Sequence, residues 1–354
     1  MVARLRCPVC ALPLAAASDT RALRCPRRHS FDLARQGYVT LLAGRAPHVG
    51  DTAEMVAARA DFLAAGHYDV ISSALAEAAA SALTTPTGPA GASAPAGASG
   101  PTAADSQAAP TGPAVASGPA EASAPAAQTA PAEANAPAEA SAPAEASGNA
   151  DRAADRPERA GFGAYPLVVE AGAGTGRHLA AVLSAWPDAV GLALDVAKPA
   201  LRRAARAHPR AAAALADTWQ RLPLADRSVA VLLDVFAPRN GDEFHRVLHP
   251  AGVLLVVTPT DTHLAELVDV LGLLRVDPAK ADRVAESLAG RFTPEHTAVH
   301  TTCLTLDRAE VATLVGMGPS AWHTDPARLA AAIDALPTPV TVTASVRLTT
   351  WRPR

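Results

Sequence analysis

From Tyr165 onward the apolar positions come in short continuous runs, separated by helix-length stretches of mixed character. Positions 167–170 read as a buried strand ending at Glu170, and Ala171-Gly-Ala-Gly-Thr-Gly176 as a glycine turn. A helix over 177–185 follows, then a strand over 190–194 that ends at Asp195. A third, alanine-rich strand precedes Ala216-Asp217-Thr218, and positions 229–234 read as a fourth. Leu248-His-Pro-Ala-Gly252 reads as a turn into a fifth strand over 253–257. The β-branched runs 297–306 and 340–349 predict a closing antiparallel pair, with Asp307 capping a helix between them. Apolar runs of four to eight residues bounded by turn signals are the pattern of buried strands in an α/β sheet. Further upstream, Phe31, Leu33, Tyr38, Val39, Leu41 and Leu42 alternate loosely, which predicts a short hairpin turning at Gly37. Thr52 is placed to cap a helix from Ala53 into Leu63, and Gly66 separates it from a second helix near 68–83.

Composition changes this picture in one place. Beyond about Thr84 and as far as Asn149, the chain is Ala, Pro, Gly, Ser and Thr with sparse acids, and it lacks Lys, Arg and aromatic residues. Such a tract cannot bury enough apolar surface to offset the entropy of ordering, and its prolines break the helix that alanine favours. It is expected to be a disordered spacer without chemistry. The expected division is therefore an N-terminal module over 1–45, a helical lid or connector over 46–83, the insert over 84–160, and an α/β domain over 161–354. The 49% hydrophobic content of the 354 residues owes much to alanine, and no run of eighteen bulky apolar residues occurs. A soluble, cytoplasmic protein with no membrane partner is expected.

Three cysteines and a histidine crowd the N-terminus. Cys7-Pro-Val-Cys10 is followed by fourteen residues and then Cys25-Pro-Arg-Arg-His29, while Cys303 is the only other cysteine. Two such knuckles supply the tetrahedral thiolate and imidazole set that suits Zn²⁺. No leader-like run precedes Cys7, which favours a metal in a reducing compartment over disulfides. Around the knuckles lie Arg4, Arg6, Arg21, Arg24, Arg27, Arg28 and Arg35, against only Asp19 and Asp32, although the whole chain carries a formal charge of -3. Arginine forks suit phosphate, so the module reads as a nucleic-acid contact surface with Arg24, Arg27 and Arg28 as candidate RNA-binding residues.

The order strand, glycine turn, helix, strand, acid places Asp195 nineteen residues after Gly176. Glycines at 172, 174 and 176 let the backbone approach a ligand, and a carboxylate at the next strand end takes two ribose hydroxyls. Glu170, just before the turn, suits an ammonium better than a pyrophosphate, which points to S-adenosylmethionine over NAD or FAD. Asp217 is placed to reach an adenine amino group, and Phe236 to stack on adenine or on an incoming base. His263 follows the fifth strand, where it can border the cofactor. The expected fold is thus a Rossmann-like class I S-adenosylmethionine-dependent methyltransferase core with an N-terminal zinc ribbon or knuckle.

Taken together, Cys7-Pro-x-Cys10, Leu23-x-Cys25-Pro-x-x-His29-x-Phe31-Asp32, Gly37-Tyr-Val-x-Leu-Leu42, Gly50-Asp-x-x-Glu-Met55 with Ala58-Arg59, and Phe62-Leu-x-x-Gly66-His-Tyr68 resemble the 23S ribosomal RNA guanine-N1 methyltransferases. Ala237-Pro238 also matches, and the likeness is to the actinobacterial branch associated with resistance to tylosin-type macrolides. The resemblance implies structural zinc on Cys7, Cys10, Cys25 and His29, and S-adenosylmethionine contacts from Tyr68, Gly174-Thr175 and His263. It implies a partner, 23S rRNA or a large-subunit precursor, and methylation in the 748 rather than the 745 region; a homodimer is open. The family's glycine loop commonly begins with Asp, and here Glu170 keeps the charge on a longer arm. Asp51, Glu54, Asp234 and Asp242 are available as the base, and spacing selects none. A small-molecule methyltransferase, a non-enzymatic zinc RNA-binding protein and an NAD enzyme stand as alternatives.

Overall fold

The computed structural model describes residues 1–44, 50–84, 162–318 and 325–354. The alanine-proline tract beyond Thr84, expected to be a spacer, lies outside them. Three very short strands, β1 (Ala15–Ala16), β2 (Ala22–Arg24) and β3 (Ser30–Asp32), form an antiparallel sheet in that order. Strands of two or three residues cannot hold such a sheet by ladder bonds alone. Its two supporting turns are knuckles. The Ala11 N–H donates to the Cys7 carbonyl and the Arg28 N–H to the Cys25 carbonyl, both at 2.8 Å. Ala11 and Arg28 take positive φ of 58° and 66° to close these turns.

Strand β4 (Tyr38–Thr40) differs from the expected hairpin. Leu33 does bridge Val39 antiparallel around Gly37, whose φ is 97°. The strand itself pairs in parallel with β7 (Ala211–Leu215), Tyr38–Thr40 lying against Ala213–Leu215. The physical reason is the edge: Tyr38 and Val39 are buried, and β4 satisfies backbone groups that would otherwise be unpaired on the outer side of β7.

Helix α1 (Ala53–Ala64) starts where the sequence signals it, with Thr52 Oγ1 accepting from the Met55 N–H at 3.2 Å. Gly66, at φ 87°, separates it from α2 (Asp69–Thr84). The main domain then runs β5 (Leu167–Ala171), α3 (Arg177–Ala185), β6 (Val190–Asp195), α4 (Lys198–Ala204), β7 (Ala211–Leu215), β8 (Val229–Val235), α5 (Gly241–Val247), β9 (Leu248–Pro259), α6 (Ala265–Leu271), α7 (Lys280–Ala289), β10 (Phe292–Leu306), α8 (Arg308–Gly316), α9 (Pro326–Asp334) and β11 (Val340–Pro353). Among the described residues these strands and β4 form one sheet in the order β10-β11-β9-β8-β5-β6-β7-β4. β4 to β9 run parallel, and β11 pairs antiparallel with both β9 and β10.

β5 is buried at every position, and every residue in it except Glu170 is apolar. Helix α3 seals one face with Leu179, Val182 and Leu183, each fully buried side chain contributing about 1.5–3 kcal/mol. The fifth strand begins five residues before the expected position. Leu248 already pairs with Val229, and the register shifts between Val229 and Val231. Gly252 permits this bulged entry, because a Cβ there would stand 2.9 Å from the Ala230 carbonyl oxygen. Asp307 caps α8 in a reciprocal capping box with Glu310, as its sequence position predicts.

Candidate functional site

The metal-type centre is built within one stretch of chain. One donor atom from each of Cys7, Cys10, Cys25 and His29 can be chosen so that all four lie within 4.8 Å of one another. Cys10 Sγ stands 3.7 Å from Cys25 Sγ, and His29 Nδ1 lies 3.3 Å from Cys25 Sγ and 3.5 Å from Cys7 Sγ. Sulfurs bound tetrahedrally at about 2.3 Å would be separated by about 3.7 Å, so the donor set fits zinc. The ribbon is joined to the large sheet: Leu5 bridges Leu224, the Arg6 N–H donates to the Pro223 carbonyl, and Leu5, Cys7, Leu14 and Leu23 share an apolar core with Leu192 and Leu222.

Of the candidate RNA residues, Arg27 and Arg28 are exposed, whereas Arg24 is paired with Asp19 at 3.0 Å on the surface. Arg4 and Arg6 leave the expected patch. Arg6 caps the carbonyls of Ala3 and Leu5, and the Arg4 guanidinium turns inward.

At the carboxyl ends of the parallel strands lies a cavity of about 890 Å³. Its floor is the glycine turn, where Gly172, Gly174 and Gly176 all take positive φ, between 53° and 77°. A Cβ on Gly172 would meet Ala237 at 2.6 Å, so only glycine lets the turn lie against the end of β8. Asp195 closes over this turn, accepting from the Gly174 N–H through Oδ2 and from the Ala197 N–H through Oδ1, both at 2.8 Å. Burial raises its pKa, and those two N–H groups oppose the rise. Glu170 is wholly buried, its pKa pushed up to about 8 by that burial despite the Leu179 N–H at 3.1 Å. Asp217 is buried too. Its Oδ1 accepts from the Trp219 N–H at 2.9 Å, while Oδ2 has no partner among the described residues. A buried orphan acceptor on a cavity wall is costly without a ligand donor. The three glycines and this orphan together fit S-adenosylmethionine.

Tyr68 and His263 meet across the cavity with 3.2 Å between Tyr68 Oη and His263 Nε2. His263 Nδ1 accepts from the Ser345 N–H at 3.1 Å, which leaves the proton of the neutral ring on Nε2. Burial pulls the His263 pKa down to about 4, so the ring is neutral near pH 7 and donates to Tyr68. The Phe236 ring, 41% exposed, stands 6.5 Å from Tyr68 and 6.0 Å from His263. Its own φ of 55° holds it out from the end of β8. Thr175 also lines the cavity, so every cofactor residue nominated from the sequence borders it except Gly176. Gly176 instead packs against Ala204, 3.1 Å from its would-be Cβ.

Sequence reasoning gave no cofactor role to the Arg59–Asp51 pair. Arg59 Nη1 binds Asp51, and Nη2 donates to the Met317 carbonyl at 2.8 Å. The guanidinium thereby stands over Gly174. The available signal was Asp51 just before the helix cap and Arg59 two turns into α1. Of the four acids considered as a base, only Asp51 lines the cavity. Asp234 is sealed against Arg239 at 3.0 Å, and exposed Asp242 pairs with Arg291.

Residues 5–46 match the family model of the RlmA N-terminal zinc ribbon. The chain is 56% identical over its whole length to a Micromonospora griseorubida protein named for 23S rRNA guanine-N1 methylation, covering 98% of it. It is 42% identical, over 100% of this chain and 98% of the relative, to the 23S rRNA (guanine(748)-N(1))-methyltransferase of Streptomyces fradiae. Among solved structures it is similar to an S-adenosylmethionine-dependent methyltransferase from Geobacter sulfurreducens, at 15% identity and a TM-score of 0.36, over 53% of this chain and 85% of that one.

Proposed function

The chain belongs to the 23S rRNA (guanine-N1)-methyltransferase family, and on that premise we propose that it methylates N1 of guanine-748 in a 23S rRNA hairpin at the peptide exit tunnel. The observation that carries this reading is the end-to-end likeness to the guanine-748 enzyme, ribbon and core together. A small-molecule methyltransferase would not need the ribbon, and a non-enzymatic RNA-binding protein would not need the pocket.

S-adenosylmethionine supplies an electrophilic methyl group when bound. Gly172 and Gly174 admit its methionine end close to the backbone. Asp195 takes the ribose hydroxyls, and Asp217 Oδ2 accepts from the adenine amino group. Arg59, over Gly174, pairs with the methionine carboxylate, and Glu170 faces the ammonium. Tyr68 and His263 border the methyl end, where aromatic faces favour a cation. Phe236 offers a ring on which an incoming base stacks. These groups contribute alignment, holding acceptor and methyl close and in line. The N1 proton that the methyl replaces passes to a base, for which Asp51 is the candidate carboxylate bordering the cavity. Guanine N1 lies on the pairing edge, so the acceptor must be unpaired or flipped out.

Zinc on Cys7, Cys10, Cys25 and His29 shapes the ribbon, and Arg24, Arg27 and Arg28 engage RNA phosphates. The same proposal holds that the enzyme works in the cytoplasm on 23S rRNA or its large-subunit precursor, and contributes to tylosin-type resistance. No described helix is long and apolar enough to cross a membrane. A homodimer also belongs to it. The outer edge of β10, fifteen residues long, has no strand partner among the described residues, and sedimentation should return twice the 36.0 kDa chain mass.

Primer extension on rRNA incubated with enzyme and cofactor tests the reading, since N1 methylation blocks pairing. A stop at guanine-748 is expected. A stop at another base, or methyl incorporation only into small molecules, would overturn it. Replacing Arg27 and Arg28 with Gln should lower the log-log salt slope of RNA binding by about two, leaving cofactor affinity unchanged.

A further inference from the structure

Arg4, displaced from the basic surface patch, lies beside a second cavity. This space of about 130 Å³ sits at the opposite end of the strands from the cofactor pocket, by the first residues of β5, β8 and β9. Arg4, Arg227, Ser228, His249 and Phe162 line it, and among the described residues no carboxylate does. Arg4 Nη1 is buried and has no hydrogen-bond partner among the described residues. Arg227 holds the left-handed backbone conformation, φ 53°, fixed by its N–H donating to the Arg246 carbonyl at 2.9 Å. The adjacent acid is engaged elsewhere, since Asp226 pairs with Arg246 at 2.6 Å.

His249 completes the set. Its Nδ1 accepts from the Ala251 N–H at 3.1 Å, so the neutral ring carries its proton on Nε2 and remains a donor. The Phe162 ring packs on it edge to face at 4.8 Å. Burial lowers the pKa of both Arg4 and His249, and Arg227 lowers that of His249 further, which marks the cluster as positive and partly dehydrated. Two arginines and a histidine ring N–H lining a small cavity that has no acid among its described residues are the donor set of an oxyanion site. The position adds a consequence. The Arg4 carbonyl accepts from the Ala225 N–H at 2.8 Å, so the cavity sits where the ribbon joins the sheet.

We propose that Arg4, Arg227 and His249 form a phosphate-binding site distinct from the methyl-transfer pocket, holding either a phosphodiester of bound RNA or free inorganic phosphate. Both sources present the same tetrahedral oxyanion to the same donors.

The zinc-replete full chain is titrated with inorganic phosphate against sodium chloride of equal ionic strength, following melting and calorimetric binding. Phosphate should raise the melting temperature beyond the chloride effect. Arg227→Gln and His249→Gln should weaken phosphate at least about tenfold while S-adenosylhomocysteine binding stays intact. No phosphate-specific shift, or equal affinity in both variants, would overturn the site. Arg4→Gln is expected to behave alike, and if it fails to fold, Arg227→Gln decides. The salt slope of rRNA binding separates the sources. A decrease of about one in Arg227→Gln identifies an RNA phosphodiester, whereas an unchanged slope with lost phosphate binding identifies free phosphate.

Discussion

The two centres of this molecule are built by opposite routes. The Cys₃His centre takes all its donors from positions 7 to 29, brought together by two knuckle turns and three strands of two or three residues. The cofactor pocket draws on residues from Gly50 to Gly318, set at the ends of five parallel strands and closed by α1 and α8. The first has almost no core of its own and relies on a metal for local order. The second is preorganised by a buried sheet and can exist without its ligand. A local site therefore depends on its ion to fold, and a non-local site depends on its fold to bind.

The largest test of that contrast is Cys25→Ser. Metal binding is folding energy in ribbons of this kind, on the order of 10 kcal/mol, so the variant should lose stoichiometric zinc and expose residues 1–44 to protease. Cofactor affinity should fall far less, because among the described residues none before Gly50 lines the pocket. Stoichiometric zinc in a folded variant would break the comparison.

Opposite pH signs sharpen it. Zinc leaves as acid protonates its thiolates. Glu170 acts the other way: its folded pKa of about 8 lies above the unfolded value near 4.5. Its contribution to stability is complete below pH 4.5 and lost as pH rises through 8. Glu170→Gln cannot ionise, so thermal melts of the zinc-bound, cofactor-free protein should decline less between pH 5 and 8.5 than those of the parent. The difference should be on the order of a few kcal/mol across that range.

Asp195→Ala removes the carboxylate that fastens Gly174 and faces the ribose. Calorimetry should show cofactor affinity reduced by about 1–3 kcal/mol, with zinc content unchanged. A smaller effect is expected from Asp217→Asn, which can keep the Trp219 contact but turns the orphan acceptor into a donor. A loss of about 1–2 kcal/mol in S-adenosylhomocysteine binding, with an unaltered melting temperature, would place adenine beside Oδ2. Unchanged binding would remove that contact from the pocket.

How much of each centre is legible in the chain follows from the same contrast. Knuckle spacing, helix caps and buried strands are local patterns, and each is set by interactions over a few residues. Cys7 to His29, the Thr52 and Asp307 caps, and the glycine turn beneath Asp195 could therefore be read from sequence. Phe236 was legible as an aromatic at a strand end, but its positive φ and its distances to Tyr68 and His263 were not. The register of β4 against β7, the bulged entry of β9, the Arg59–Asp51 clasp over Gly174 and the inward turn of Arg4 each join residues far apart in the chain. No spacing rule reaches across such separations, because the partner is chosen by which edge, cavity or buried charge the folded sheet leaves to be satisfied. The sequence by itself determined the local elements and the donor types. Only the tertiary structure decided which of those donors face a common space.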